Sequence, residues 1–281
     1  MLVSYRTARW SGTISDQAGA KAAALAAGAQ PSAYRVGKNL MDGADERLKQ
    51  VSSIQEYGRR VHQMMTLPWA MGDSKRGPRL LATEQWHEYA STIGKIKHDY
   101  KQALNEFLVH YEDDKELARQ RLNIDEAAAA RLYPPKEQIE KHFSVSIEFA
   151  PIPAGAQFTG LPAGVAEQLE QTYERQFKER IDHARSDAMS RVKEHLESLV
   201  NNLSQDQPHV KRATLERIGD VGKLVGSFAL LAGPEAREVA AKCKTLAEGY
   251  THTELNKKKP SQEAATAEAK EILDKLSYWG L

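Results

Sequence analysis

A single cysteine, Cys243, in a chain of 281 residues rules out an intramolecular disulfide. Its apolar neighbours Val239, Ala240, Ala241 and Leu246 mark it as a buried structural thiol rather than a nucleophile. An intracellular, reducing compartment is the expectation. No stretch approaches the roughly 18 uninterrupted apolar residues that a membrane-spanning helix needs, and Met1 to Trp10 lacks the apolar core of a signal peptide. The Ala-rich run from Ala18 to Ala29 is interrupted by Gly19, Lys21 and Gly28 and reads as a helix of small residues. The strings that announce catalysis are missing too: there is no GxxxxGK(S/T), no GxGxxG opening a helix, no HExxH, no CxxC and no GxSxG. Nine histidines are scattered rather than spaced as ligands. The nearest approaches, Glu84-x-x-His87 and His183-x-x-x-Asp187, lack the second copy that a di-metal bundle requires. The sequence therefore predicts no metal, no cofactor and no enzymatic activity.

What is present is unevenly distributed. The net charge of +1 conceals an excess of cations in residues 1–79, with 12 Lys+Arg against 6 Asp+Glu, and an excess of acids in residues 112–200, with 12 against 17. Such asymmetry speaks about partners rather than fold, and a basic segment most often faces nucleic acid, an acidic membrane or an acidic protein.

Hydrophobic spacing predicts a mainly α protein with a small β-sheet (α+β), in which a helical and small-sheet region, residues 1–150, precedes a long-helix bundle, residues 165–281. The first helix is expected from about Ser15 to Ala27. In the next, capped by Asp42 and stopped by Pro68, Leu48, Val51, Ile54, Tyr57 and Val61 recur as one buried face. Trp86, Tyr89, Ile93, Ile96, Tyr100, Leu104 and Phe107 place a long helix after Thr83. Val145, Ile147 and Phe149 alternate with Ser144, Ser146 and Glu148 as a strand, for which Tyr34 to Val36 and Arg79 to Leu81 are the expected partners. Pro and Gly crowd Pro151 to Gly164, the expected boundary. Beyond it, apolar residues from Val165 to Leu203 recur every three or four positions, a seam flanked by charge that calls for a partner surface and predicts oligomers.

Single-stranded nucleic acid requires cations for phosphates and aromatic faces for stacking, and the basic third interleaves both. Arg6, Arg9 and Trp10 are followed by Arg35 and Lys38, by Arg59 and Arg60, and by Trp69, Lys75, Arg76 and Arg79. The last four sit in a loop from Thr66 to Arg79 whose breakers, Gly72, Gly77 and Pro78, predict exposure and contact with DNA. The residues alone leave open the alternative that Trp10 and Trp69 pack in a core which the cations merely solvate.

Several strings carry a resemblance: Trp10-Ser11-Gly12, Val36-Gly37-Lys38-Asn39-Leu40-Met41, Thr66-Leu67-Pro68-Trp69, Phe107-Leu108-Val109-His110-Tyr111, and Tyr133-Pro134-Pro135 leading to Phe143-Ser144-Val145. Over residues 1–152 the chain resembles the Drc-like family, early single-stranded-DNA-binding transcription regulators of lytic podoviruses that package a giant virion RNA polymerase. The resemblance implies sequence-independent binding of single-stranded DNA, a homo-oligomer, partnership with a phage RNA polymerase, a part in replication, and action in the host cytoplasm without a membrane. It supplies no site residues of its own. The alternative is an adaptor of a phage MoxR-type ATPase or an assembly factor, in which the long helices matter and the basic face is incidental.

Overall fold

The computed structural model describes residues 1–69, 77–152, 162–229 and 233–278. The protein is 71% helical with a small antiparallel sheet, the mainly α architecture expected. In chain order the elements are β1 (Leu2–Ala8), β2 (Thr13–Ser15), α1 (Gln17–Ala26), β3 (Gly37–Asn39), α2 (Glu46–Met64), β4 (Leu67–Pro68), β5 (Arg79–Leu80), α3 (Trp86–Arg121), α4 (Glu126–Leu132), α5 (Lys136–Ile139), β6 (Ser144–Ala150), α6 (Ala163–Leu203), α7 (Arg212–Ser227), α8 (Pro234–Gly249), α9 (His252–Lys257) and α10 (Lys259–Tyr278).

Strands run in the order β4-β5-β1-β6, with Leu2 opposite Leu80 and Leu67 opposite Leu80 on its other side. The expected strands at Arg79 and at Val145 to Phe149 are both present, but Tyr34 to Val36 is not one of their partners. The neighbouring segment Gly37–Asn39 pairs instead with Thr13–Ser15 in a separate two-stranded sheet, and β1, whose Val3 and Tyr5 alternate with Ser4 and Arg6, takes the expected place. Helix starts follow side-chain caps. Asp16 accepts from the Gly19 amide at 2.9 Å, Asp125 from the Ala128 amide at 2.7 Å, and α2 begins after Asp45 rather than Asp42.

The chain forms two compact units that interleave along the sequence. Unit 1 gathers Met1–Tyr5, Val61–Ala90 and Ile147–Leu281, and unit 2 gathers Arg6–Arg60 and Ser91–Ser146. Unit 2 packs Leu40, Met41, Val51, Phe107, Tyr111, Ile139 and Phe143 into its own core, tied by the Tyr133 hydroxyl donating to the Leu40 carbonyl at 2.6 Å. In unit 1, α6 from Ala184 onward lies with α7, α8 and α10 around Met189, Val192, Leu196, Ile218, Val239 and Ile272. Most of the Pro/Gly-rich stretch, residues 153–161, lies outside the described residues. No helix among the described residues is long and apolar enough to cross a membrane.

Backbone proximity between α7 and α8 depends on glycine. A Cβ added at Gly219 would lie 3.3 Å from the Ala247 Cβ, at Gly222 2.6 Å from the Cys243 Cβ, and at Gly226 3.0 Å from the Ala240 Cβ. Replacing Gly222 by Ala is therefore expected to force the helices apart and lower the unfolding free energy by about 1–3 kcal/mol. Gly94→Ala on the exposed face of α3, where the new methyl meets nothing within 4 Å, is expected to raise it by about 0.5–1 kcal/mol through helix propensity. Urea titrations of the two variants, read by circular dichroism, give the comparison.

Candidate nucleic-acid interface

Helix α2 presents its residues differently from the hydrophobic count. Leu48, Val51 and Val61 are buried, but Tyr57 is 51% exposed. Beyond Ile54 the buried face runs instead through Gln55, Gly58 and His62. The polar members are accommodated by hydrogen bonds: the Gln55 amide donates to the carbonyls of Ala8 at 2.9 Å and Ser144 at 3.2 Å, and His62 Nδ1 shares a hydrogen bond with the Tyr89 hydroxyl at 2.9 Å. Tyr57 consequently faces outward, and the guanidinium of Arg60 lies 5.9 Å from its ring centroid. This cation–aromatic pair was legible only by giving buried polar residues the same weight as apolar ones.

Seven of the predicted contact residues fall in unit 2. Arg6, Arg9, Arg35 and Arg60 are exposed, while Lys38, Arg59 and Trp10 are half-buried. Arg9, Arg35, Lys38 and Arg60 have no ion-pair partner among the described residues. Arg59 is committed internally, donating to Glu56 and to the Thr7 hydroxyl, each at 2.7 Å. Because side chains alternate across a strand, Arg6 lies on the face of β1 opposite Thr7 and does not share a surface with Arg59. Lys38 stands on β3 across from Ile14. Trp10 packs edge-on against Tyr111, with ring centroids 6.0 Å apart, so it serves the core of unit 2 with part of its surface.

Trp69 and Arg79 do not sit in an exposed loop, which corrects the expectation for the segment from Thr66 to Arg79. Its described ends form β4 and β5, and Thr66, Leu67, Trp69 and Arg79 are buried. Arg79 donates from Nε to the Thr66 hydroxyl at 2.8 Å and from Nη2 to the Thr66 carbonyl at 2.9 Å. Burial first, and then the charge of Arg191, lower its pKa to about 10, with Asp187 opposing. Arg191 itself donates to the Gln63 carbonyl at 2.8 Å and pairs with Asp187 at 2.7 Å. Trp69 meets Phe177 edge-on at 5.6 Å beneath the Arg180 guanidinium. Lys75 and Arg76, together with Gly72, lie outside the described residues.

Among the described residues, no group of three or more His, Cys, Asp or Glu is placed to hold a metal. Cys243 is buried and its thiol is pushed up to about 12, which keeps it in the unreactive protonated form.

Two outcomes are expected of the buried polar cluster. Arg79→Ala should lower stability by about 2–3 kcal/mol in denaturant titrations, since it strips buried hydrogen-bonding groups of their donor. His62 has its pKa lowered from 6.5 to about 4, by burial and then by Arg79. The unfolded chain therefore takes up the proton first: its stabilisation is complete above pH 6.5 and is lost as pH falls toward 4. Unfolding free energies at pH 7 and pH 4.5 should differ by about 2–3 kcal/mol less in His62→Gln than in the parent.

Comparison of the chain with protein-family models, curated proteins and solved structures gave no match in any of the three.

Proposed function

We propose that the protein is a non-enzymatic, sequence-independent single-stranded-DNA-binding protein of a bacteriophage that supports transcription by a phage RNA polymerase. The observation that carries this reading is the outward Tyr57–Arg60 pair on α2, an exposed ring with a guanidinium over it. It belongs to the same unit as the exposed cations Arg6, Arg9 and Arg35. An unpaired strand offers base faces that any aromatic ring can stack on, at about 1–3 kcal/mol per base, and phosphates that cations neutralise irrespective of sequence. A duplex hides its base faces, so this combination favours single strands. The transcriptional role rests on the likeness of the strings between Trp10 and Val145 to the podoviral regulators, and the host cytoplasm is then its place of action.

Arg59, Trp69 and Arg79 drop out of the contact set because the fold already employs them. With Arg9, Arg35, Lys38 and Arg60 each meeting one phosphate, log affinity for a labelled oligonucleotide should fall against log salt with a slope of about −3, at about −0.7 per phosphate. Tyr57→Ala should weaken binding by about 1–3 kcal/mol while changing stability by less than about 0.5 kcal/mol, as is usual for an exposed site. A flat salt response, or equal affinity for duplex, would overturn the reading, and no measurable binding would favour the adaptor.

A further inference from the structure

Helix α3 carries a cationic stretch that lies outside the basic N-terminal third. Between Ser91 and Asn105 it buries Ile93, Ile96, Tyr100 and Ala103 and exposes Gly94, Lys95, His98 and Lys101 on the opposite side. At 100° per residue these four exposed positions fall within a sector of about 120°. Neither Lys95 nor Lys101 has an ion-pair partner among the described residues. Half-buried Lys97 adds a third cation, and exposed Asp99 is the one carboxylate of the stretch. A Cβ added at Gly94 would meet nothing within 4 Å. Beside His98 and Lys101, four and seven residues on, the helix is therefore open down to its backbone.

Within unit 2, α2 and α3 run antiparallel. Arg47 meets Asp114 at 2.7 Å and Glu106 at 3.9 Å, and eight residues further along α2 Gln55 lies beside Tyr100. Ten residues beyond Arg47 on α2 stands Tyr57. Eleven residues before Glu106 on α3 stands Lys95, three turns away and so on the same stripe as Glu106. Lys95 is accordingly level with Tyr57, on the edge of α3 that borders α2. His98 and Lys101 continue from it across the outward face at intervals of three.

The geometry points to a continuation of the nucleic-acid surface onto α3: a single strand with one base on Tyr57 lays neighbouring phosphates on Lys95 and Lys101, crossing at His98 where Gly94 leaves room. Phosphodiesters are the fitting chemistry, because the sector offers unpaired cations and no apolar side chain, with Asp99 at its rim. Spacing along the chain did not single out these lysines, since α3 as a whole carries many acids. This inference rests on the reading of Tyr57 and Arg60 as a single-stranded-DNA contact.

Binding of a labelled single-stranded oligonucleotide over a salt series tests it. The four cations already named contribute a slope of about −3, and two further phosphates bring it to about −4, at about −0.7 each. Lys95→Ala combined with Lys101→Ala should return the slope to about −3, with unchanged circular dichroism and melting temperature. The same loss of charge at two exposed positions of unit 1, Lys244→Ala with Lys270→Ala, should leave it at about −4. Gly94→Leu should raise the melting temperature through helix propensity and yet lower affinity, because its side chain stands in the path of the strand. A parent slope of about −3 that neither lysine pair alters, two pairs that act alike, or a Gly94→Leu variant that binds like the parent overturns the proposal and leaves the reading of Tyr57 and Arg60 intact. A parent without salt-dependent binding removes both.

Discussion

The carboxamide of Gln55 is held between two backbone carbonyls, those of Ala8 and Ser144, and the outward surface of unit 2 depends on that placement. A buried amide without partners costs about 1–3 kcal/mol, so once Gln55 is inside, the rotation of α2 about its axis is determined. Two residues later, on the far side of the helix at 100° per residue, Tyr57 must face water. Arg60 then has a ring to lie over, and Arg59, on the same side as Gln55, is drawn to Thr7. The donating end of one buried amide thereby separates Tyr57 and Arg60, which face outward, from Arg59, which is committed to the fold.

The same distinction runs through the rest of the charge pattern. Along α3, Lys115 pairs with Glu112 and Arg119 with Glu116, three residues apart. Such exposed pairs contribute under about 1 kcal/mol each, yet they cancel field locally. The cations that keep their field are those without an ion-pair partner among the described residues, among them Arg9, Arg35, Lys38 and Arg60. Two arginines of unit 1 act differently again. Buried Arg79 and half-buried Arg191 meet at the carbonyl of Thr66 with Asp187 as their nearby carboxylate, an arrangement that secures the ends of β4 and β5.

One periodicity runs along helix α6 through two environments. In its second half the stripe is covered by α7 and α10, whose neighbour α8 comes close to α7 because Gly219, Gly222 and Gly226 carry no side chain. In its first half Phe177 and Ile181 still pack on that core, while Val165 and Leu169 are 44% and 37% exposed. Burying apolar area stabilises at about 25 cal/mol per Å² wherever it occurs, so the sequence pattern looks identical in both halves.

The amino-acid order by itself determined the helices, the strand at Val145 to Phe149 and the segregation of charge, because these follow from spacing along the chain and from caps such as Asp16 and Asp125. Trp10 and the cations from Arg6 to Arg60 fall within unit 2, where Arg59 and part of the Trp10 ring serve the fold. Tertiary structure alone decided that the two units interleave, that β1 rather than Tyr34 to Val36 joins β5, and that Tyr57 faces out while Trp69 and Arg79 face in. Those choices turn on long-range hydrogen bonds, Gln55 to Ser144, Arg79 to Thr66 and Arg191 to Gln63. Local periodicity cannot contain them, because a polar residue announces neither its burial nor the distant carbonyl that makes burial tolerable.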